Sequence, residues 1–145
     1  KLKPGRPLKL MLAVLIKDVE EGFERVGRPA ALEFKYDGMR IQAHKSKEGI
    51  RLFTRRMENV TKQFPEVVDV VEKNVSGKDF IIDCEAVGFS PKTKKYLPFQ
   101  KISQRIKRKY DIEETAKNFP VELNIFDLLY YNFVDSKRIV FKAYF

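Results

Sequence analysis

The chain has 145 residues, 43% hydrophobic and 12% aromatic, which suits one folded domain with a packed core and argues against disorder. It carries 29 Lys+Arg against 20 Asp+Glu, a net charge of +9, so its surface suits a polyanionic partner or serves solubility. No apolar run approaches the roughly 20 residues of a membrane helix, no signal-peptide core follows Lys1, and the one cysteine, Cys84, permits no internal disulfide.

A start at Lys1 rather than Met leads us to expect a piece excised from a longer protein, and cysteine usage fits a reducing cytoplasm. Residues 1–13 (KLKPGRPLKLMLA) are basic, punctuated by Pro and Gly, and read as a lead-in. Residues 18–26 predict a short helix with Asp18 as N-cap. Residues 30–35 predict a strand. Asp37-Gly38 then predicts a hairpin turn into a second strand over 39–45. There Ile41 and Ala43 face one way, and Arg40, Gln42 and His44 the other. A turn at Glu48-Gly49 leads to a strand at 50–54. His44, the only histidine, has charged neighbours and is expected at the surface rather than on a metal.

Phe64, Val67, Val68, Val71 and Val75 recur at helical spacing, so 64–75 predicts a helix that starts near Pro65 and stops at Ser76-Gly77. Residues 79–89 (DFIIDCEAVGF) predict a strand, in which Cys84 is expected to be packed rather than reactive. Residues 91–98 read as a loop, 99–109 as a basic helix with Ile102 and Ile106 on one face, and 120–131 as a buried strand. Strands outnumber helices and tight turns join most neighbours. That predicts an α+β fold of mainly antiparallel sheet flanked by helices, divided into lead-in 1–13, body 14–132 and an atypical tail 133–145.

Five segments have residue types that could carry chemistry. Glu33-Phe34-Lys35-Tyr36-Asp37-Gly38-Met39-Arg40 is either an ordinary hairpin or a held nucleophile. A lysine amine is a poor nucleophile at its free pKa of about 10.4, but neighbouring cations or desolvation lower that value and free the lone pair. Arg55, in Leu52–Asn59, is either a solvated strand end or a phosphate-binding guanidinium. Asp83 and Glu85 fall on one face of an apolar strand, a costly placement unless they are ion-paired, hold a cation or accept hydrogen bonds from a sugar. Phe126, in Asn124-Ile125-Phe126-Asp127, is either core or a ring that stacks on a base. Residues 91–110 hold eight Lys or Arg and no acid, which is either a solvated face or a contact with nucleic-acid backbone.

Taken in order, EFKYDGMR, FTRRMENVT, DCEAV and LNIFDLLY resemble the motifs of ATP-dependent DNA ligases, most closely the archaeal type, over roughly residues 4–132. The resemblance implies an ATP-grasp-like nucleotidyltransferase (adenylation) domain, truncated. It implies that Lys35 takes AMP from ATP, that Glu33 and Tyr36 line the nucleotide site, and that Asp37 and Arg40 shape its phosphate and ribose surroundings. It further implies that Arg55 meets phosphate, that Glu85 bonds the ribose, that Asp83 and Glu85 hold Mg²⁺, and that Phe126 stacks on adenine. The substrate would be nicked double-stranded DNA, with a sliding clamp as a further candidate partner and a monomer expected. RNA ligases and mRNA capping enzymes share the Lys-x-Asp-Gly lysine, and a non-catalytic basic nucleic-acid-binding module is the alternative of another class. Residues 133–145 do not resemble the family's continuation, whose lysines would neutralise the α-phosphate. The chain alone is therefore expected to seal no nick and to adenylate itself weakly or not at all.

Overall fold

The computed structural model describes residues 1–108, 110–132 and the backbone of 134–135. The elements, in order, are α1 (Val19–Val26), β1 (Met39–Ser46), β2 (Gly49–Thr54), a 3-10 turn (Thr61–Gln63), α2 (Pro65–Asn74), β3 (Phe80–Ser90), β4 (Lys95–Leu97), α3 (Phe99–Lys107), α4 (Ile112–Asn118), β5 (Val121–Tyr131) and β6 (Val134–Asp135). All pairings are antiparallel, in the order β2-β1-β3-β5-β6 with β4 also on β3. This is the α+β, mainly antiparallel fold expected. Apart from the β6 backbone, the segment read as an atypical tail lies outside the described residues, as does Lys109.

Alternation builds the sheet's core face. Ile41 and Ala43 from β1, Leu52 from β2, and Ile82, Cys84 and Ala86 from β3 pack against Phe64, Val67 and Val71 of α2 and Ile102 of α3. Each large apolar side chain fully buried in this way contributes about 1.5–3 kcal/mol. Pro65 opens α2, where its missing N–H costs nothing. Gly49 closes the β1–β2 hairpin at φ 93°, a conformation that favours glycine.

The opposite face is polar yet largely covered. His44 and Gln42 are only 1% exposed, which corrects the expectation of a surface histidine. The lead-in lies over them. Gly5 N–H donates to His44 Nδ1 (3.1 Å), and Gln42 exchanges two bonds with the backbone of Leu8 (2.9 and 3.0 Å). His44 Nε2 lies 3.1 Å from Gln42 Oε1, and the ring packs edge-on to Phe53. Burial holds the imidazole pKa down at about 4.

Helix α1 forms as predicted, with Asp18 Oδ1 accepting from the Glu21 N–H (2.9 Å). The strand expected at 30–35 does not form. Its alternating Leu32 and Phe34 stay exposed and no described strand pairs with it, so Asp37-Gly38 is a bend into β1 rather than a hairpin turn. The supposed loop 91–98 contains β4, and α4 was not foreseen. The 120–131 segment is a strand, but its middle is not buried. A bulge lies between the Asp83–Asp127 and Cys84–Ile125 pairs, and Ile125 and Phe126 are exposed there.

Candidate functional site

Register assembles the site. Arg40 pairs with Glu85 across β1–β3, and Glu85 pairs with Asn124 across β3–β5. The three side chains therefore share the sheet face opposite the helix-packed core, in one row across three strands. Arg55 directly follows Thr54, which pairs with Ile41, so it stands exposed at the same end of the sheet as Arg40.

Asp83 is fully buried on this face, and Arg40 is its partner. Arg40 Nη2 donates to Oδ2 (2.6 Å) and Nε donates to both carboxylate oxygens (3.1 and 3.2 Å). The bonded Asp83 carboxylate raises the already high guanidinium pKa further. Arg40 also sits 5.2 Å from the Phe126 ring centroid. Asp83, one of the two residues expected to hold a metal, is thus engaged by a cation of the protein itself. Among the described residues no cluster of three or more His, Cys, Asp or Glu could hold a metal.

Glu85 is half-buried. Burial pushes its carboxyl above the usual range, while the positive charges of Lys35 and Arg40 and the Gly38 N–H pull it back. The same interaction puts the Lys35 ammonium within electrostatic reach of Glu85. Lys35 is exposed, in the irregular segment that leads into β1. What holds this segment is Gly38. A Cβ there would lie 2.5 Å from the Ala86 carbonyl oxygen and 2.9 Å from Glu85 Cγ, so only glycine lets the chain press onto β3 beside Glu85. The close approach that glycine permits here is made toward the sheet.

Arg40, Glu85 and Phe126 are thus brought together, and the charge of Lys35 reaches Glu85. Tyr36 is half-buried, its ring centroid 6.2 Å from that of Phe34. Glu33 and Asp37 are exposed on either side of Lys35, with no hydrogen bond from either side chain among those described. A shallow cavity of about 580 Å³ lined by Asp111–Glu114 and Lys117 shares no residue with this cluster. Of the basic run 91–110, Lys92, Lys94, Lys95, Lys101, Lys107 and Arg108 are exposed, but Arg105 is not. It pairs with Glu66 (2.5 and 3.0 Å), donates to the Gln63 and Phe119 carbonyls (2.8 and 3.0 Å), and packs 4.2 Å from the Phe64 ring centroid. It is a structural pin between α3, α2 and the end of α4, unavailable to nucleic acid. Asn124 carried no role in the sequence reading, though it stood inside a segment singled out there.

Comparison with known proteins identifies a family. Residues 10–142 match the family described as "ATP dependent DNA ligase domain", a span that runs past residue 132 into the segment read as atypical. The DNA ligase of Nanoarchaeum equitans is 55% identical over 130 residues, 90% of this chain and 23% of that protein. The DNA ligase of Saccharolobus solfataricus is 46% identical over 136 residues, 92% of this chain and 22% of that protein. This chain therefore spans less than a quarter of these relatives. A solved structure of mycobacterial DNA ligase D complexed with ATP and MES superimposes with a TM-score of 0.50 at 26% identity, covering 71% of this chain and 30% of that one.

Proposed function

The chain belongs to the ATP-dependent DNA ligase family, and from that premise we propose that it forms part of an adenylation site in which Lys35 is the residue that takes AMP. The observation that carries this reading is the pairing of Arg40 with Glu85 on one sheet face beside the exposed Phe126 ring, with the charge of Lys35 acting on the same Glu85 carboxylate. The Lys35 amine, once it has lost its proton, attacks the α-phosphorus of ATP. A phosphorus–nitrogen bond forms, the bond to the bridging oxygen breaks, and pyrophosphate leaves. Arg40 is fixed by Asp83 with its guanidinium across one side of the site, where its charge favours the phosphates. Phe126 offers a flat apolar face to the base, and Glu85 an acceptor to a ribose hydroxyl. Glu33, Tyr36 and Asp37 line the approach to Lys35, and Arg55 meets phosphate at the end of the sheet.

Mg²⁺ fits these residues only in part. Asp83 has both oxygens engaged by Arg40, so Glu85, which keeps free lone pairs, is the residue that would hold it. When bound, the ion neutralises phosphate charge and orients oxygens. Transfer of AMP to the 5′-phosphate of nicked DNA, and sealing by the 3′-hydroxyl, are the later steps we assign to the whole protein. They fit a cytoplasmic protein with exposed basic side chains at Lys92, Lys94, Lys95, Lys101, Lys107 and Arg108.

The test uses a full-length protein that contains this segment, supplied with ATP or GTP labelled at the α-phosphate and Mg²⁺. Protein-bound, acid-labile label from ATP that disappears in Lys35→Ala supports the reading. Label from GTP instead points to a capping enzyme. Absence of label, or label that survives Lys35→Ala, overturns it.

A further inference from the structure

Among the described residues, Asn124 is the one member of the Arg40–Glu85–Asn124 row without a partner. Arg40 is spent on Asp83 and Phe126, and Glu85 faces Lys35 and Arg40. The Asn124 Nδ2 is buried and has no hydrogen-bond partner among the described residues. Buried amide donors are almost always paired, so an orphan calls for an explanation. The other such atom, Arg105 Nε, has a ready one, because the remaining nitrogens of that guanidinium are bonded to Glu66 and two carbonyls. No hydrogen bond of the Asn124 side chain is found among the described residues, and Asn124 is the direct register partner of Glu85 across β3–β5.

We propose that Asn124 is a specificity-determining residue of the nucleotide pocket, donating a hydrogen bond to the same ribose hydroxyl whose proton Glu85 accepts. The inference rests on the adenylation reading above. Its chemistry follows from what a hydroxyl is: one donor hydrogen and two acceptor lone pairs on one oxygen. An ionised carboxylate only accepts, so Glu85 satisfies the hydrogen and leaves the lone pairs. An amide NH₂ only donates, so Asn124 satisfies a lone pair. The two side chains stand opposite each other on one face, at the roughly 4.5–5.5 Å separation of cross-strand neighbours, and present this complementary pair with no contribution from a loop. A sugar that lacks the hydroxyl leaves the buried Asn124 donor unpaired and takes one donor from Glu85. Sites built to hydrogen-bond a hydroxyl reject the analogue lacking it for this reason.

The experiment follows Lys35 adenylation with α-labelled ATP, 2′-deoxy-ATP and 3′-deoxy-ATP, in a full-length protein containing this segment and in its Asn124→Leu variant, which is similar in size and has no donor. The wild type is expected to favour ATP over one of the two deoxy analogues by about tenfold or more in kcat/KM, and that analogue identifies the hydroxyl. Asn124→Leu is expected to lower kcat/KM for ATP about tenfold while leaving that analogue unchanged, so the preference collapses. Its Tm should be unchanged or higher, because leucine leaves no unpaired donor. A wild type indifferent to both deoxy analogues overturns the inference whether or not the variant folds. So does an Asn124→Leu protein that keeps the wild-type preference, or that loses activity equally toward all three nucleotides. In those cases label still abolished by Lys35→Ala leaves the adenylation reading standing. Label that is absent, or that survives Lys35→Ala, removes that reading and this inference with it.

Discussion

Arg40 and Asp83 form a forked ion pair across β1 and β3, with Nη2 and Oδ2 2.6 Å apart and the two side chains very unequally covered, 34% exposed for Arg40 and 1% for Asp83. The inequality decides what the pair does. The carboxylate is the buried anchor, and the guanidinium is the end that reaches toward the site. The cost of breaking the pair is accordingly asymmetric.

Arg40→Ala strands a buried carboxylate, whereas Asp83→Asn leaves a guanidinium that reaches water. We predict a loss of about 3 kcal/mol for Arg40→Ala, the range seen when a buried pair loses one member, and roughly half of that for Asp83→Asn. Urea unfolding of each variant measures both, and equal losses would contradict the anchor role of Asp83.

His44 makes stability depend on pH. In the folded chain Nδ1 accepts from the Gly5 N–H, and burial holds the pKa at about 4 against an ordinary 6.5. The unfolded chain therefore binds the extra proton first as pH falls, and stability rises with pH across that interval. The contribution is complete above pH 6.5 and is lost as pH falls through 4, by an amount on the order of 3 kcal/mol. His44→Gln should flatten this part of the urea-midpoint profile. Among the described residues the ring meets Gln42, Phe53 and the Gly5 backbone, with Arg51 opposite it across β1–β2, and burial is what lowers its pKa.

Gly38→Ala tests how Lys35 is held. The new Cβ would fall 2.5 Å from the Ala86 carbonyl oxygen, and backbone must shift to accept it. A displacement near 1 Å at a reacting group costs about a hundredfold in rate, so we expect Lys35 adenylation to drop by about that factor. A variant with wild-type labelling would show that Lys35 does not depend on this contact.

Exposed and buried members of the basic run should separate cleanly. Lys92→Gln with Lys95→Gln should leave Tm unchanged. It should also lower the slope of log affinity for nicked DNA against log salt by about 0.9 for each phosphate contact removed. Arg105→Lys should instead destabilise by about 2–4 kcal/mol, because an ammonium cannot reproduce the fork that serves Glu66 and two carbonyls. Unfolding and binding titrations read the two effects separately.

Much of this was legible in the residues themselves. Period-2 alternation set Ile41 and Ala43 on one face of their strand, and Asp83 and Glu85 together on one face of theirs. Helical spacing located α2, and Asp18 marked the start of α1. Helix α4 also carries a readable signal, with Glu113 and Glu114 in its first turn and Lys117 in its last.

What alternation and spacing determine is the face on which a side chain stands, because that is a property of the local backbone. What they leave open is what covers that face, because the covering groups come from distant sequence. The lead-in of residues 5–8 buries His44, Arg40 claims Asp83, and Glu66 with two carbonyls draws Arg105 inward. Residues 30–35 have the alternation of a strand, yet they find no neighbour among the described strands to accept their backbone hydrogen bonds, and so remain irregular. The sequence named the chemistry of each residue, and the tertiary structure chose its partner.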